Sequence, residues 1–593
     1  MKKLATFSFI LLFFLGLVFL LADENREDED VKIEIQIDQK IPLSDGIHLT
    51  ANIWKPRKME TPLPAIVAYS SYGINGMHED GVFFAKRGYV FLAVNCRGRN
   101  GSEGEFFPYE DAGRDGYDVM AWIAKQPWSD GQVGMMGLSY GAFTQWQTLK
   151  YLPPALKTII PSAPTYPGYN SPYANNILMS NRIRWSAVVS GTESNMNIYR
   201  DNDYWTDLFY QRYEQHIPFA KFAEFAKGNQ QWWDNWVAHP DYDDYWKSLI
   251  PTAEEYKGIE IPILQISGHF DGSLRSTISY FQDHMKFGNE EAKKKHYLII
   301  GPWSHGGTRR NHSEMDGLKF GPNSILYKDM IDFYLLWFDW VLKGKEKAEF
   351  LKKQVSYYVM NEDEWRYVDR LEEISNATET YYLSSEGGKA NDVFYSGRLE
   401  RNALTAEQRP DVFEYDPLKL IERIKPVNDL RVSGLLDQSA AFAEDKLVYH
   451  SEPFAEDVEI AGVPVFNAYI ELNVPDTDFE WKLFEITRQG VSISLGQGIM
   501  RARYRNSFSI PELVTPGEVV HYEMPLYYML VRKITKGSRL RLVFNCVNSP
   551  HMQKNYNSGG DVSYETAKDA RTAIVKLYHD KRYPSALVFP VKR

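Results

Sequence analysis

Along this chain the apolar positions fall into several distinct rhythms. Val31 to Ile37 alternates apolar and charged residues, the period of a half-buried strand. Short unbroken apolar runs follow at Ala65–Tyr69, Val90–Val94, Val133–Met136, Thr158–Pro161, Ile263–Ser267 and Tyr297–Ile300, several of them separated by helical stretches such as Asp111 to Lys125. Buried strands alternating with helices predict a mostly parallel sheet covered on both faces. Between Pro164 and Pro251 the pattern becomes helical and dense in aromatics, with no good strand run, and predicts a cap inserted between sheet strands. The sheet pattern resumes at Ile261, and Ile325 to Leu342 reads as a closing amphipathic helix. From about Val355 short strands separated by turn residues predict an all-β unit, with strands at Leu447–His450, Ala468–Leu472 and Leu540–Phe544. The expected class is therefore α/β, with a helical insertion and an all-β C-terminal unit, a sandwich or jelly roll.

The first residues follow another pattern. Lys2 and Lys3 precede an uncharged apolar run, Leu4 to Ala22, and the acidic stretch Asp23 to Asp30 follows, which is the order of a secretory signal and predicts export, periplasmic or extracellular. At about 19 residues the run is also long enough to span a bilayer as an uncleaved anchor. The division expected is signal or anchor over 1–22, spacer over 23–30, α/β unit over 31–163 and 252–350, cap over 164–251, and all-β unit over 355–593.

At 593 residues the chain is too long for one core. A net charge of -11 leaves no basic excess to neutralise phosphates, which argues against a nucleic-acid partner. The aromatic content of 14%, with 15 Trp, suits pockets for organic groups. Trp146, Trp185, Trp232 and Trp233 are the candidate pocket residues. Cys96 and Cys546 cannot form a disulfide framework and read as buried small hydrophobes in different units.

The candidate chemistry starts at Gly137-Leu138-Ser139-Tyr140-Gly141, a G-x-S-x-G pattern between a strand, Gln132–Met136, and a helix, Ala142–Tyr151. In that setting a serine sits on a strained turn as a nucleophile, and the flanking glycines let backbone pass closely. The bland alternative is a glycine-rich turn with an inert serine. A nucleophilic serine needs a histidine to take its proton and a carboxylate to fix that histidine's tautomer. Asp271 ends the strand Ile261 to Ser267 after a glycine turn, and His305 ends the next, which is the order acid, then histidine, expected after the serine. Alone, Asp271 could be a turn residue before Gly272, and His305 could decorate a surface loop. His269 is the rival base. The Tyr140 backbone N–H is the first oxyanion donor, and Tyr72, after the strand Ala65–Ser70, is either the second or a packed aromatic.

At this point the residues resemble a family. Asn95-Cys-Arg-Gly-Arg-Asn-Gly-Ser-Glu-Gly104, the run Asp111 to Trp122 leading into Gln126-Pro-Trp128, the elbow, and the strand ends at Asp271 and His305 together resemble the CocE/NonD serine hydrolases. That group takes in cocaine esterase, α-amino acid ester hydrolases and, more distantly, X-Pro dipeptidyl peptidases. Pro240 to Trp246 and Gly537 to Asn545 look like its cap ending and a jelly-roll strand. The resemblance implies an α/β-hydrolase fold, a helical cap and a C-terminal jelly roll. It also implies Ser139 as nucleophile, Asp271 as acid and His305 as base, with Tyr72 and Tyr140 at the oxyanion, and an acyl-enzyme reaction needing no metal or organic cofactor. Asn95 departs from the aspartate usual there. A second departure is the absence of acids just after Asp271 and in Pro164 to Ala174, where amino acid ester hydrolases hold a substrate ammonium.

The expected activity is hydrolysis of a small-molecule carboxylic ester or activated amide, with neutral, preferably aromatic acyl groups. A dipeptidyl-peptidase-like or acyl-amino peptidase is the enzymatic alternative; it would need Asp243 or Asp244 as amine site, acids that read more readily as solvated groups on the cap surface. A carbohydrate-binding relic is the non-catalytic one. Membrane contact is expected only through an uncleaved 4–22 segment, and a homo-oligomer stays open.

Overall fold

Ten strands form the first sheet, and their order explains how distant segments meet. In chain order they are β1 (Ile33–Pro42), β2 (His48–Pro56), β3 (Leu63–Ser70), β4 (Val90–Asn95), β5 (Ser129–Leu138), β6 (Leu156–Ser162), β7 (Ile263–Phe270), β8 (His296–Ser304), β9 (Val355–Val359) and β10 (Glu364–Val368). They lie side by side as β1-β2-β4-β3-β5-β6-β7-β8-β9-β10. Pairing is parallel from β4 through β9 and antiparallel at both edges. Every residue of β4 is buried and β3 is buried beyond its first, as strands covered on both faces require. The structure is a computed structural model that describes residues 31–593 apart from 195, 316, 328, 392, 404 and 422–444.

The helices α1 (His78–Lys86), α2 (Ala112–Ile123) and α3 (Tyr140–Lys150) connect early strands. Between β6 and β7 comes the cap, whose helices include α4 (Asn181–Val189), Asn202–Glu214 and Gln230–Ala238. The cap opens with a small hairpin, Tyr173–Ala174 against Ile177–Leu178, which the aromatic helical pattern hid. Asn175 and Asn176 turn it with φ of 49° and 61°, values at which Asn is among the best tolerated residues. The closing helix runs Met330–Lys343, five residues later than its apolar stretch begins, because Asp329 caps it.

The second sheet is all-β, a jelly roll, and the described strands between Ala377 and Lys592 form it. One boundary needs correction. The strands from Val355 were expected to open this unit, but β9 pairs in parallel with β8 and carries β10 as the edge of the first sheet. A buried apolar run identifies a strand without saying which sheet it joins. Cys96 and Cys546 are both free and buried. Residues 1–30, with the lysine pair, apolar run and acidic spacer, lie outside the described residues. Among the described residues no helix is long and apolar enough to cross a membrane.

Candidate active site

Three carboxyl ends of parallel strands converge at one edge of the sheet. Ser139 follows β5 at φ 62° and ψ -118°, a conformation costly for any residue with a Cβ, and lies at the N-terminus of α3. Gly137 makes the turn sterically feasible, since a Cβ there would come 2.7 Å from the Gly141 carbonyl oxygen. Gly141 is under no such constraint: its Cβ would meet the Tyr69 oxygen at an ordinary 3.5 Å. The expectation that both flanking glycines serve close backbone passage therefore holds sterically only for Gly137.

Asp271, fully buried after β7, accepts from Ser267 Oγ at 2.8 Å through one oxygen. Its other oxygen accepts from the Ser273 N–H at 2.8 Å and from His305 Nδ1 at 2.8 Å. The meeting depends on an irregularity in β8, where register against β7 shifts between Gly301 and Ser304. Gly268 permits it, since a Cβ there would sit 2.1 Å from the Trp303 carbonyl oxygen. Burial pulls the His305 pKa down, but the charge and hydrogen bond of Asp271 outweigh it, and the net shift is upward; the positive charge of Arg182 opposes the rise. The His305 side chain keeps 43% of its surface open, so the ring is reachable while its partner is not. His269 is no rival: it is buried, with ring nitrogens 3.0 Å from the Tyr358 and 3.4 Å from the Met529 carbonyl oxygens, and burial lowers its pKa to about 4.

Tyr72 follows β3, the neighbour of β5. Its hydroxyl accepts from Trp185 Nε1 at 3.0 Å. An indole N–H only donates, so the phenolic proton stays free to point into the cavity. Burial pushes the Tyr72 pKa up to about 12, against the opposing effect of the Trp185 hydrogen bond, and the phenol stays a donor near neutral pH. The Tyr140 N–H begins α3 and has no earlier helical turn to bond to, while its hydroxyl accepts from the Tyr109 N–H at 3.0 Å.

Ser139, His305, Tyr72, Tyr140 and Trp185 all line one chamber of about 320 Å³. A groove of about 550 Å³ meets it at Ser139, Tyr72 and His305. The groove's acids are Glu79, which is exposed, and Asp80, paired with Arg309. Of the four candidate tryptophans only Trp185 reaches the chamber, held parallel to Tyr109 at 6.1 Å. Trp146 is fully buried and stacks on Tyr280 at 4.6 Å. Trp232 packs against Phe106, and Trp233 donates to the Phe219 carbonyl at 2.7 Å. The α3 and cap faces that carry these three bury them in core, so they are removed from the pocket. Asp243 caps the helix Asp244–Ser248 and bonds His239, and Asp244 is exposed; neither lines the chamber.

Two contributions were missed in the sequence. Tyr527 and Tyr528 of the all-β unit close the chamber wall, and nothing local in their sequence marks them. Arg99 is fully buried and donates through Nε to the Ser71 carbonyl at 3.0 Å and through Nη2 toward Val188, so it ties the Tyr72 loop to α4. Its position inside the Asn95–Gly104 motif was the available signal. Asn95 itself donates to Thr50 Oγ1 of β2 at 3.0 Å and to the Asn100 carbonyl at 3.2 Å, so this amide braces the Asn95–Gly104 segment against β2.

The profile of X-Pro dipeptidyl-peptidase (S15 family) matches residues 45–307, and that of the X-Pro dipeptidyl-peptidase C-terminal non-catalytic domain matches residues 350–588. The chain is 27% identical over 575 residues to cocaine esterase of Rhodococcus sp. (strain MB1 Bresler), covering 93% of this chain and 97% of that protein. A putative serine esterase of Mycobacterium bovis is 21% identical over 565 residues, covering 86% and 84%. Among solved structures an α-amino acid ester hydrolase superposes with a TM-score of 0.78 at 20% identity, covering 95% of this chain and 97% of that one. An aminopeptidase from a marine sediment Thaumarchaeota archaeon gives 0.81 at 20% identity, with the same coverage. At such identities these two likenesses are of fold.

Proposed function

The chain belongs to the CocE/NonD family of serine hydrolases, and we propose that it cleaves carboxylic esters or activated amides through an acyl-enzyme formed on Ser139. The observation that carries this reading is the 2.8 Å bond from His305 Nδ1 to a fully buried Asp271, in a chamber that Ser139 also lines. With Nδ1–H committed to Asp271, the other ring nitrogen is left unprotonated and free to take the Ser139 proton. Ser139 Oγ then attacks the carbonyl carbon. The negative charge on oxygen is met by the Tyr72 hydroxyl and the Tyr140 N–H, and the protonated His305 returns the proton to the departing alcohol or amine. Water repeats the cycle on the acyl-enzyme and frees the acid.

The lack of any Asp or Glu in the chamber lining supports discrimination against substrates with an α-ammonium, and leaves the peptidase alternative without an amine anchor there. Lys2, Lys3 and the apolar run to Ala22 support export; N-terminal sequencing of the mature protein tests it. The central test is Ser139→Ala with an ester and peptide panel. Activity should fall below about one-thousandth of the parent, and labelling by a serine-reactive phosphonate should vanish. Labelling at another serine, with activity intact, would overturn the assignment.

A further inference from the structure

The chamber's charge is one-sided. Among its lining residues the groups that can carry charge near neutral pH are His305, already engaged with Asp271, and Arg182. Arg182 sits in the first turn of α4, just after the small hairpin. That hairpin is pinned to the all-β unit by Asn175 Nδ2 donating to the Ile499 carbonyl at 2.6 Å and Arg501 donating to the Asn176 carbonyl at 3.0 Å. Ser180 Oγ adds a bond to the Pro550 carbonyl at 2.7 Å. The guanidinium is thus delivered on an anchored backbone. Its own bonding is thin: Nη2 reaches the Asn170 carbonyl at 3.4 Å, Nε is buried with no partner, and no carboxylate pairs with it among the described residues.

A second cation deepens the imbalance. Arg275 lies over the rings of Tyr169 at 3.9 Å and Tyr527 at 5.1 Å, with hydrogen bonds to Asn175 and Tyr169 rather than to any acid. Tyr527 lines the chamber, so Arg275 stands directly behind its wall. Asp271, beside the chamber, has both oxygens occupied. A half-buried guanidinium with unused donors in a field of this sign favours an anion, and its planar fork matches a carboxylate. Asn170, Asn181 and Gln497 line the same chamber.

We infer that the substrate carries a carboxylate on the part of the molecule that enters the chamber, and that Arg182 recognises it. This inference rests on the serine-hydrolase reading for its kinetics but not for its binding. Kinetics with matched pairs test it: 4-nitrophenyl hemiglutarate against its 4-carbamoylbutanoate counterpart, with charge on the acyl side, and 3-carboxyphenyl butanoate against 3-carbamoylphenyl butanoate, with charge on the leaving side. In one arm the carboxylate member should have the higher kcat/KM by about tenfold or more. That ratio should collapse in Arg182→Gln, be partly kept by Arg182→Lys, and shrink with added salt. Neutral members preferred in both arms, or a ratio unchanged in Arg182→Gln, would overturn the inference.

Binding separates the two readings. Glutaric acid monoanilide should bind Ser139→Ala protein at least about tenfold more tightly than its neutral carboxamide, and lose that advantage when Arg182→Gln is added. Such binding with no ester turnover in the parent would sink the hydrolase reading alone. Turnover of neutral esters with no such binding advantage would sink the anion site alone.

Discussion

Tyr72 illustrates how one side chain acquires a role through its neighbour. Because Trp185 donates to its oxygen, its proton is left free, and on the proposed mechanism Tyr72→Phe should lower kcat by about 10²-fold or more with a smaller change in KM. An unchanged kcat would return Tyr72 to packing. On the proposed mechanism the pH dependence belongs to His305. It acts as a base only when neutral, and Asp271 holds its pKa above the ordinary value of 6.5, so kcat/KM should rise with pH through an acid limb above that value. Asp271→Asn removes the charge that raises the pKa and leaves burial and Arg182 pulling it down. The acid limb should then move to lower pH while turnover falls about 10³–10⁴-fold from loss of the tautomer. A limb that stays in place would assign it to another group.

The elements that hold these residues depend on close backbone contact at particular points. Gly137→Ala puts a Cβ 2.7 Å from the Gly141 oxygen, and because that neighbour is backbone, something in the elbow must shift. A stability loss of about 1–3 kcal/mol and a larger loss of activity are expected. Gly141→Ala, with an ordinary 3.5 Å contact at the start of α3, should keep its melting temperature and much of its activity. Thermal melts and ester turnover on the two variants check the contrast, and equal damage from both would contradict the geometry. The G-x-S-x-G pattern was legible in the sequence, but the difference between its glycines was not, because it depends on where Tyr69 of β3 passes. The β8 irregularity was equally hidden: the run Tyr297–Ile300 marks a strand, and nothing in it tells how far His305 turns toward Asp271.

For the whole molecule, the chamber is the feature that no single unit contains. Ser139 and His305 come from strand ends, Trp185 and Arg182 from the cap, and Tyr527, Tyr528 and Gln497 from the all-β unit. Since no acid among the described residues enters from any of the three, a phenylacetyl ester should have the higher kcat/KM than the matching phenylglycyl ester near neutral pH, where much of the α-amine is charged. Preference for the amino compound would require an acidic subsite outside this lining. The expected aromatic acyl pocket changes character here, since three of its four tryptophans are core and tyrosines of the all-β unit replace them.

The sequence by itself determined the layered class, the cap and the all-β unit, because these follow from local periodicity, and it put Ser139, Asp271 and His305 in that order at the ends of apolar runs. The tertiary structure decided which sheet received β9, which tryptophans reached the chamber, that His269 faces away, and that Arg182 lines the chamber of Ser139 with no carboxylate paired to it among the described residues. Each of those depends on which distant surfaces come together, and a side chain's charge balance is set by neighbours hundreds of residues away.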